Sequence, residues 1–350
     1  MPLMNGQLAE LLARTAEEEA PGTNRQKALM RASRAALFWP KEAFALVEAD
    51  RPLTELRGVG PWLAGVIGTW LIAGELPEIP DPPEVRRGFL TLAAVRATLA
   101  DRPEWPATIR SDLQMHTTYS DGRASLREMA MACAEGHRYQ HVLITDHSKD
   151  LPIAHGMDES RLAVEVQDIQ QVNQELEAAG TPLRVLRGLE MNLSPEGEGD
   201  MDPAALRTLD VVLGAFHSKL RLPEDQTERY VAALRNPDFH VLAHPRGRRW
   251  GVREGLRADW PRVFEEAAKQ GKALEIDAHP DRQDLDIELL EMAGEAGAWI
   301  SIGSDAHHPR ELDYMEFGLA AAIRASIPRE RILNFLSADD LLAWAARLSP

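Results

Sequence analysis

The 350-residue sequence contains one cysteine, Cys133. An internal disulfide and a cysteine-based zinc cluster are therefore excluded, and any metal would have to be held by His, Asp and Glu. Cys133 lies in the helix-like run SLREMAMACAEGH, where a buried core thiol is expected rather than a nucleophile. Long apolar runs are missing as well. WLAGVIGTWLIAG, from Trp62 to Gly74, is too short and too interrupted by glycine to span a bilayer, and the N-terminus lacks a charged-then-apolar signal pattern. The chain reads as a cytoplasmic protein with no membrane partner. Positive charge is scarce: 39 Lys and Arg face 55 Asp and Glu, a net charge of −16. That balance argues against strong, indiscriminate binding of nucleic acid. The deficit is unevenly spread, because residues 1 to 110 carry 13 Lys and Arg against 14 Asp and Glu, which leaves 26 against 41 for the remainder.

The uneven charge matches a change of pattern. MNGQLAELLARTAEEEA, NRQKALMRASRAALF and KEAFALVEA each space apolar residues three to four apart and predict helices. DRPEWPATIR, Asp101 to Arg110, carries two prolines and reads as a linker. We expect a helical domain over residues 1–105 and a second domain over 106–350. The second alternates aliphatic or β-branched runs with helical stretches, the signature of a parallel sheet. The runs SDLQMH, HVLITDH, LRVLRGLEMN, LDVVLGAFH, FHVLAHP, KALEIDAHP and AWISIGSDAH predict seven strands.

These runs share one feature: nearly all end in His, Asp or Glu. His116, Asp146 and His147, Glu190, His217, His244, Asp277 and His279, and Asp305 and His307 occupy their C-terminal ends. In α/β barrels that rim forms the floor of the active site. A single strand-end histidine is ordinarily a capped or core residue, but independent structural histidines have no reason to recur at the same end of successive strands. Imidazoles and carboxylates without thiolates suit Zn, Mn or Fe, and a carboxylate such as Glu190 can bridge two ions. Ions roughly 3.5–4 Å apart clamp the attacking and leaving oxygens of a phosphoester under hydrolysis. Metal-assisted phosphoester hydrolysis is the chemistry this pattern predicts.

QMHTTYSDG, TDHSKDL, GLEMN, FHS, AHPRGR and SDAHH, in this order, resemble the successive motifs of the PHP (polymerase and histidinol phosphatase) family from about residue 110 to 345. Within it, LDVVLGAFHS, NPDFHVLAHPRGR and HPDRQDL are most similar to the C-terminal domain of bacterial family X DNA polymerases. The resemblance implies an α/β fold, a distorted seven-stranded TIM-like barrel holding three divalent ions, with Mn favoured for activity. It implies a first ion on His116, Glu190 and Asp305, with Gln114 where a histidine is usual. A second ion would share Glu190 and add His217 and His244, and a third would use Asp121, His147 and His307. Glu190, His116 and Asp305 would stand at the catalytic centre. Gln114 can still offer its amide oxygen, a harder donor than imidazole that favours Mn or Mg. We read the site as retuned, with a damaged site as the rival. Arg248 and Lys149 are candidates for gripping substrate phosphate, with exposed salt bridges as the alternative. Asp277 and His279 fall on no ligand position of the family pattern and are read as supporting or substrate-facing groups.

LRGVGPWLAGVIG, Leu56 to Gly68, has the form of a helix-hairpin-helix. Gly58 and Gly60 permit the tight turn, and the following helix start can hold a DNA phosphate through backbone N–H groups. Lys27, Arg31 and Arg34 share one face of a predicted helix, with Arg25 just upstream. A glycine hairpin between packed helices and a solvated basic face are the structural alternatives. Together with GELPEIP, these segments resemble the small N-terminal domain of family X polymerases. No room remains between the two parts for a polymerase palm, and a second glycine hairpin is missing. The resemblance therefore implies a DNA 3′-to-5′ exonuclease or 3′-end-processing repair nuclease, with single-stranded or 3′-ended DNA as partner and repair proteins as further partners. A small-molecule phosphatase similar to histidinol-phosphate phosphatase is the alternative enzyme. A metal-bound DNA- or partner-binding scaffold without catalysis is the non-enzymatic one.

Overall fold

Seven aliphatic runs become parallel strands because both of their faces are buried, which removes the polar alternation of a half-exposed strand. In the computed structural model, which describes residues 2–72 and 81–348, they are β1 (Ser111–Asp112), β2 (His141–Ile144), β3 (Arg184–Asn192), β4 (Val211–Ala215), β5 (Val241–Ala243), β6 (Ala273–Asp277) and β7 (Trp299–Gly303). They pair in sequence order, every neighbour parallel. The ends of this sheet meet. Leu113 N–H donates to the Ile302 carbonyl at 3.3 Å, Asp305 N–H to Gln114 at 3.1 Å and His116 N–H to Ala306 at 2.8 Å. The result is the expected seven-stranded barrel, closed along a seam that runs through Gln114 and His116.

Two apolar layers hold it. Inside, Leu113, Leu143, Leu186 and Leu213 pack with Leu341 and Trp344 of the helix Ala338–Ala346. Outside β1 to β3, Val142, Ile144 and Val185 pack against Met129 and Ile169 from the helices Leu126–Ala132 and Glu159–Ala178. Both helices start where their sequences say they should, at Ser125 with a capping box to Glu128 and at Asp158, whose carboxylate accepts from Arg161 N–H. Cys133 is fully buried in the same layer, and burial pushes its thiol up, so it is the inert core thiol expected.

The described residues divide into two compact units, Met1–Asp101 and Arg102–Pro350. In the first, the helices Asn5–Glu18 and Asn24–Ala36 are tied by the Ser33 hydroxyl, which donates to the Ala9 carbonyl at 2.6 Å. The stretch read as a linker is not one. Glu104–Thr108 is helical, and Trp105 is buried edge-on against Phe335, 5.4 Å between ring centroids. Its partner lies over two hundred residues away, where no local pattern could announce it. GELPEIP falls outside the described residues. Among the described residues, no helix is long and apolar enough to cross a membrane.

Candidate metal centre

The strand-end residues converge just beyond the strands, in turns that regular β structure could not make. His244 and Asp305 take positive φ, 28° and 53°, which ends β5 and β7 and swings their side chains inward. Such backbone is costly for a non-glycine residue and persists where the surroundings over-determine it, commonly at functional sites. The loop after β1 is fixed by Asp146. Its carboxylate accepts from Thr117 N–H at 2.9 Å, Thr117 Oγ1 at 2.7 Å and Ser120 N–H at 3.0 Å. Asp146 thus orients the turn between His116 and Asp121.

Glu190 sits at the centre, 1% exposed. Its Oε1 lies 3.0 Å from His217 Nε2 and 2.7 Å from His244 Nε2, while Oε2 lies 3.4 Å from His116 Nε2 and 3.2 Å from His147 Nδ1. Burial would raise the Glu190 carboxyl, but the surrounding imidazoles outweigh it and hold it well below the usual range. On one side, His116 Nε2 is 3.1 Å from Asp305 Oδ1. On another, Asp121 Oδ1 is 3.2 Å from His307 Nε2 and 3.7 Å from His147 Nε2. The His116 ring stacks between those of His147 and His307, 4.4 Å from each.

Three sets of side chains offer donor atoms all within 4.8 Å of one another: His116, Glu190 and Asp305; His147, Glu190 and His217; and His116, Asp121, His147 and His307. His244 belongs to none of them but touches Glu190 directly. The donor chemistry fits divalent ions. Glu190 Oε2 and His147 Nδ1, though 3.2 Å apart, are buried without a hydrogen bond to each other or to any other group, an arrangement that costs free energy unless something is bound between them. Two of the imidazoles are aimed by their other nitrogen, as metal-binding histidines are. His217 Nδ1 lies 3.2 Å from Asn192 Oδ1, and His307 Nδ1 lies 2.8 Å from the Asp305 carbonyl oxygen. Burial lowers His147 to about 3, leaving a neutral imidazole that can ligate. Burial also opposes charge on His307, yet Asp121 and Asp305 outweigh it and raise that imidazole to about 10. An ion entering beside Asp121 therefore has to displace a proton from His307.

Gln114 lies in the closure seam, fully buried, with neither amide atom hydrogen-bonded. Gly303 makes the space for it. A Cβ there would come within 2.5 Å of both Gln114 Cβ and Glu275 Oε1. Glu275 is fully buried too, accepting from His244 N–H at 2.8 Å through Oε2 while Oε1 has no partner.

The candidates for phosphate lie elsewhere. Arg248 is 3% exposed, with Nη1 donating to Asp286 at 2.9 Å and Nε to the Arg282 carbonyl at 3.1 Å. Lys149 is exposed and donates to Glu159 at 2.7 Å. A cleft of about 370 Å³ opens beside Asp121, Asp305 and His307 instead, lined by Arg123, Arg249, Arg282 and His279. Arg282 spans two buried acids, 3.4 Å from both Asp277 and Asp305. Asp277 accepts from His279 N–H at 2.8 Å, which places His279 on the cleft and Asp277 beneath it. The sequence held one signal for Arg282, its place in HPDRQDL directly after β6. Arg123 and Arg249 carried none.

In the helical unit, Gly58 takes φ +82° in a turn closed by Val59 N–H donating to Leu56 at 3.1 Å, and the helix Pro61–Ile72 starts directly after Gly60. The element before the turn is a single 3₁₀ turn, Leu53–Glu55, rather than a full helix. Arg25, Lys27, Arg31 and Arg34 are exposed on or beside the helix Asn24–Ala36. That helix adjoins the hairpin: a Cβ on Gly58 would lie 3.3 Å from Ala35 Cβ, and Arg25 stands 5.5 Å over the ring of Trp62.

No family model matches the chain. Over 240 residues it is 39% identical to the DNA polymerase/3′-5′ exonuclease PolX of Bacillus subtilis (strain 168), a span of 68% of this chain and 41% of that protein. Over 160 residues it is 32% identical to a protein named "Probable phosphatase" from Tolumonas auensis, covering 43% of this chain and 63% of that one. The chain thus spans less than two thirds of either relative. Among solved structures, it is similar to histidinol phosphate phosphatase from Lactococcus lactis, solved with Zn, L-histidinol and phosphate. That match has 15% identity, a TM-score of 0.45 and coverage of 63% of this chain and 94% of that one.

Proposed function

We propose that this protein, whose barrel is a PHP domain similar to the one in bacterial family X DNA polymerases, is a metal-dependent phosphodiesterase that trims DNA from 3′ ends. The observation that carries the reading is Glu190, one carboxylate within 3.4 Å of four imidazoles from four different strand ends, beside a cleft lined by three arginines. His116, Glu190, Asp305 and Gln114 would hold one ion, Glu190, His217 and His244 a second, and Asp121, His147 and His307 a third. When bound, such ions supply Lewis acidity and a water-derived nucleophile at neutral pH. The protein's share is orientation. Asn192 and the Asp305 carbonyl aim His217 and His307, Arg282 holds Asp305, and Asp146 fixes the loop between His116 and Asp121. In the helical unit, Gly58 and Gly60 leave the hairpin backbone open to a DNA phosphate, and Lys27, Arg31 and Arg34 add positive charge beside it. A cytoplasmic site of action, with repair proteins as partners, belongs to the same reading.

The deciding experiment sets purified protein with Mn on an end-labelled single strand against the same protein on histidinol phosphate. Stepwise shortening from the 3′ end supports the proposal. Turnover of histidinol phosphate alone would replace it with the phosphatase reading that the similarity to the Tolumonas auensis protein brings, and inertness on both would leave the scaffold. Removing residues 1–101, a cut that spares Trp105, is expected to slow DNA cleavage at physiological salt by about tenfold or more. Each lost phosphate contact removes part of a salt-dependent binding term, whereas hydrolysis of bis(p-nitrophenyl) phosphate should survive. Equal DNA cleavage by both proteins would remove the helical unit from the function.

Gln114 sets a further test. As an oxygen ligand, its replacement by Ala should weaken the ion at His116 and Asp305 by roughly 10- to 100-fold, the range for perturbed metal shells. Gln114→His should keep Mn-dependent activity within about tenfold and tighten Zn, since imidazole is the softer donor. A neutral Ala variant combined with a His variant that awakens an inert enzyme would mean that the site is damaged, not retuned.

A further inference from the structure

The strand β6 reads ALEID, and all five of its residues are buried. An acid in the middle of such a strand is costly unless its oxygens are bonded. One oxygen of Glu275 has a clear role: Oε2 accepts from His244 N–H at 2.8 Å, where the chain leaves β5 at φ 28°. The other has none. Glu275 Oε1 is buried without a hydrogen-bond partner, and so are both Oε1 and Nε2 of Gln114. We propose that Glu275 is a positioning residue that turns the Gln114 amide, accepting from Gln114 Nε2 so that the amide oxygen is left for the ion at His116 and Asp305. The inference rests on Gln114 being an ion ligand and not on DNA being the substrate.

Gly303 brings the two side chains together. The position that a Cβ would take there lies 2.5 Å from Glu275 Oε1 and 3.0 Å from Gln114 Oε1, so both groups reach the same space beside that glycine. An amide has a donor end and an acceptor end of nearly the same shape, and a half-turn exchanges them. With Nε2 toward Glu275, two unmet buried groups satisfy each other. Glu275 is not placed to hold an ion itself, since it belongs to none of the three donor sets among the described residues. Glu190 and Asp305 nonetheless contribute to the negative field around it, which puts it close behind the ligands. Burial, with Asp277 beside it, pushes the Glu275 carboxyl up in the chain without cations, and divalent ions act in the opposite direction.

Ser301 is the rival partner. It stands beside Glu275 in the pairing of β6 with β7, and its buried hydroxyl has no partner either. A hydroxyl donating to Glu275 would satisfy the acid but leave both ends of the Gln114 amide unmet. The amide pairing leaves only the hydroxyl, which has a single proton to place and a free rotor with which to place it. One carboxylate then joins the two ion sites, reaching His244 of the second through Oε2 and Gln114 of the first through Oε1.

Mn titrations of the full-length protein, read by electron paramagnetic resonance, test this as a double-mutant cycle. Glu275→Gln keeps the size of the side chain. His244 N–H still requires an oxygen, so the new N–H₂ faces Gln114 and competes for its oxygen. This variant is expected to bind one Mn roughly 10- to 100-fold more weakly, as Gln114→Ala should. The double variant should be no weaker than Gln114→Ala alone to within about threefold, because residues that act as a pair do not lose twice. Parent-like Mn affinity in Glu275→Gln overturns the inference, as do losses that add in the double variant or an equal loss from Ser301→Ala. A measurement on the unaltered chain covers a Glu275 variant that fails to fold. In Zn-loaded protein carrying isotope-labelled glutamine, the Gln114 N–H₂ signals, identified by their absence from Gln114→Ala, should include one proton strongly deshielded by the carboxylate. Two protons resembling those of exposed glutamines would refute the bond. Unchanged Mn binding in Gln114→Ala would instead remove the ligand reading, and this inference with it, and no arm depends on cleavage of DNA.

Discussion

Glu190→Gln is expected to cost at least one divalent ion per chain and to lower hydrolysis of any phosphoester substrate by more than about 100-fold. Changes in groups that merely support a metal ligand cost roughly 10- to 100-fold, and Glu190 reaches four imidazoles through both its oxygens, at 2.7 to 3.4 Å. Gln would keep the shape. It would lose the negative charge and turn one oxygen into an N–H₂ donor facing the imidazole nitrogens. The metal-free protein should lose stability as well. The surrounding imidazoles outweigh burial and hold the Glu190 carboxyl well below its usual range, so its charge favours the fold at neutral pH, and the Gln variant should melt lower than its parent after chelation and lower still, relative to its parent, after loading with Mn. Elemental analysis and thermal melts with and without chelator read both effects. A variant holding the full ion complement, with a rate within tenfold of the parent, would falsify the bridging role.

Arg282→Ala should act mainly on stability. The guanidinium lies between Asp277 and Asp305, and Glu190 and Asp284 add to the negative field around it. Removing one partner of a buried ion pair costs about 3–5 kcal/mol. With 30% of the side chain exposed, the lower end, about 3 kcal/mol, is appropriate. The penalty should be largest in chelated protein and smaller with Mn present, because an ion beside Asp305 supplies part of the missing positive charge. Denaturant melts of parent and variant in both conditions measure it. An equal loss with and without metal would mean that Arg282 supports packing alone, whereas no loss would remove it from the acid cluster's charge balance.

The parts legible in the sequence were those set by local pattern. Buried parallel strands must be apolar on both faces, so LRVLRGLEMN and LDVVLGAFH identified β3 and β4 to within two residues. The predicted runs extend past the strand ends at β1, β2, β5, β6 and β7. Around β5 and β7 the reason is visible, since His244 and Asp305 turn the chain at positive φ, which no residue-type preference announces. Strand-end His, Asp and Glu were conspicuous because such residues are costly to bury unless something uses them. Arginines are ordinary surface residues, so nothing in the sequence sets Arg123 and Arg249 apart, and Arg282 shows only its place in HPDRQDL; the fold joins their three loops at one cleft. Lys149 and Arg248 sat in the right motifs, but Glu159 and Asp286 decide where they point. The helix of Trp105 was hidden for a related reason: prolines suggested a linker, and only Phe335 explains the burial.

The seam that closes the barrel has a bearing on when the protein can become active. His116 and Asp305 lie on its two sides and are 189 positions apart, yet 3.1 Å separates their side chains. An ion held by both is a clasp across almost the whole barrel, the long loop for which a cross-link offsets the most chain entropy. During synthesis that clasp cannot fasten until the seventh strand has been made. A nascent chain that already carries Glu190, His217 and His244 still lacks Asp305 and His307, so the proposed ion sites are completed only with the finished fold.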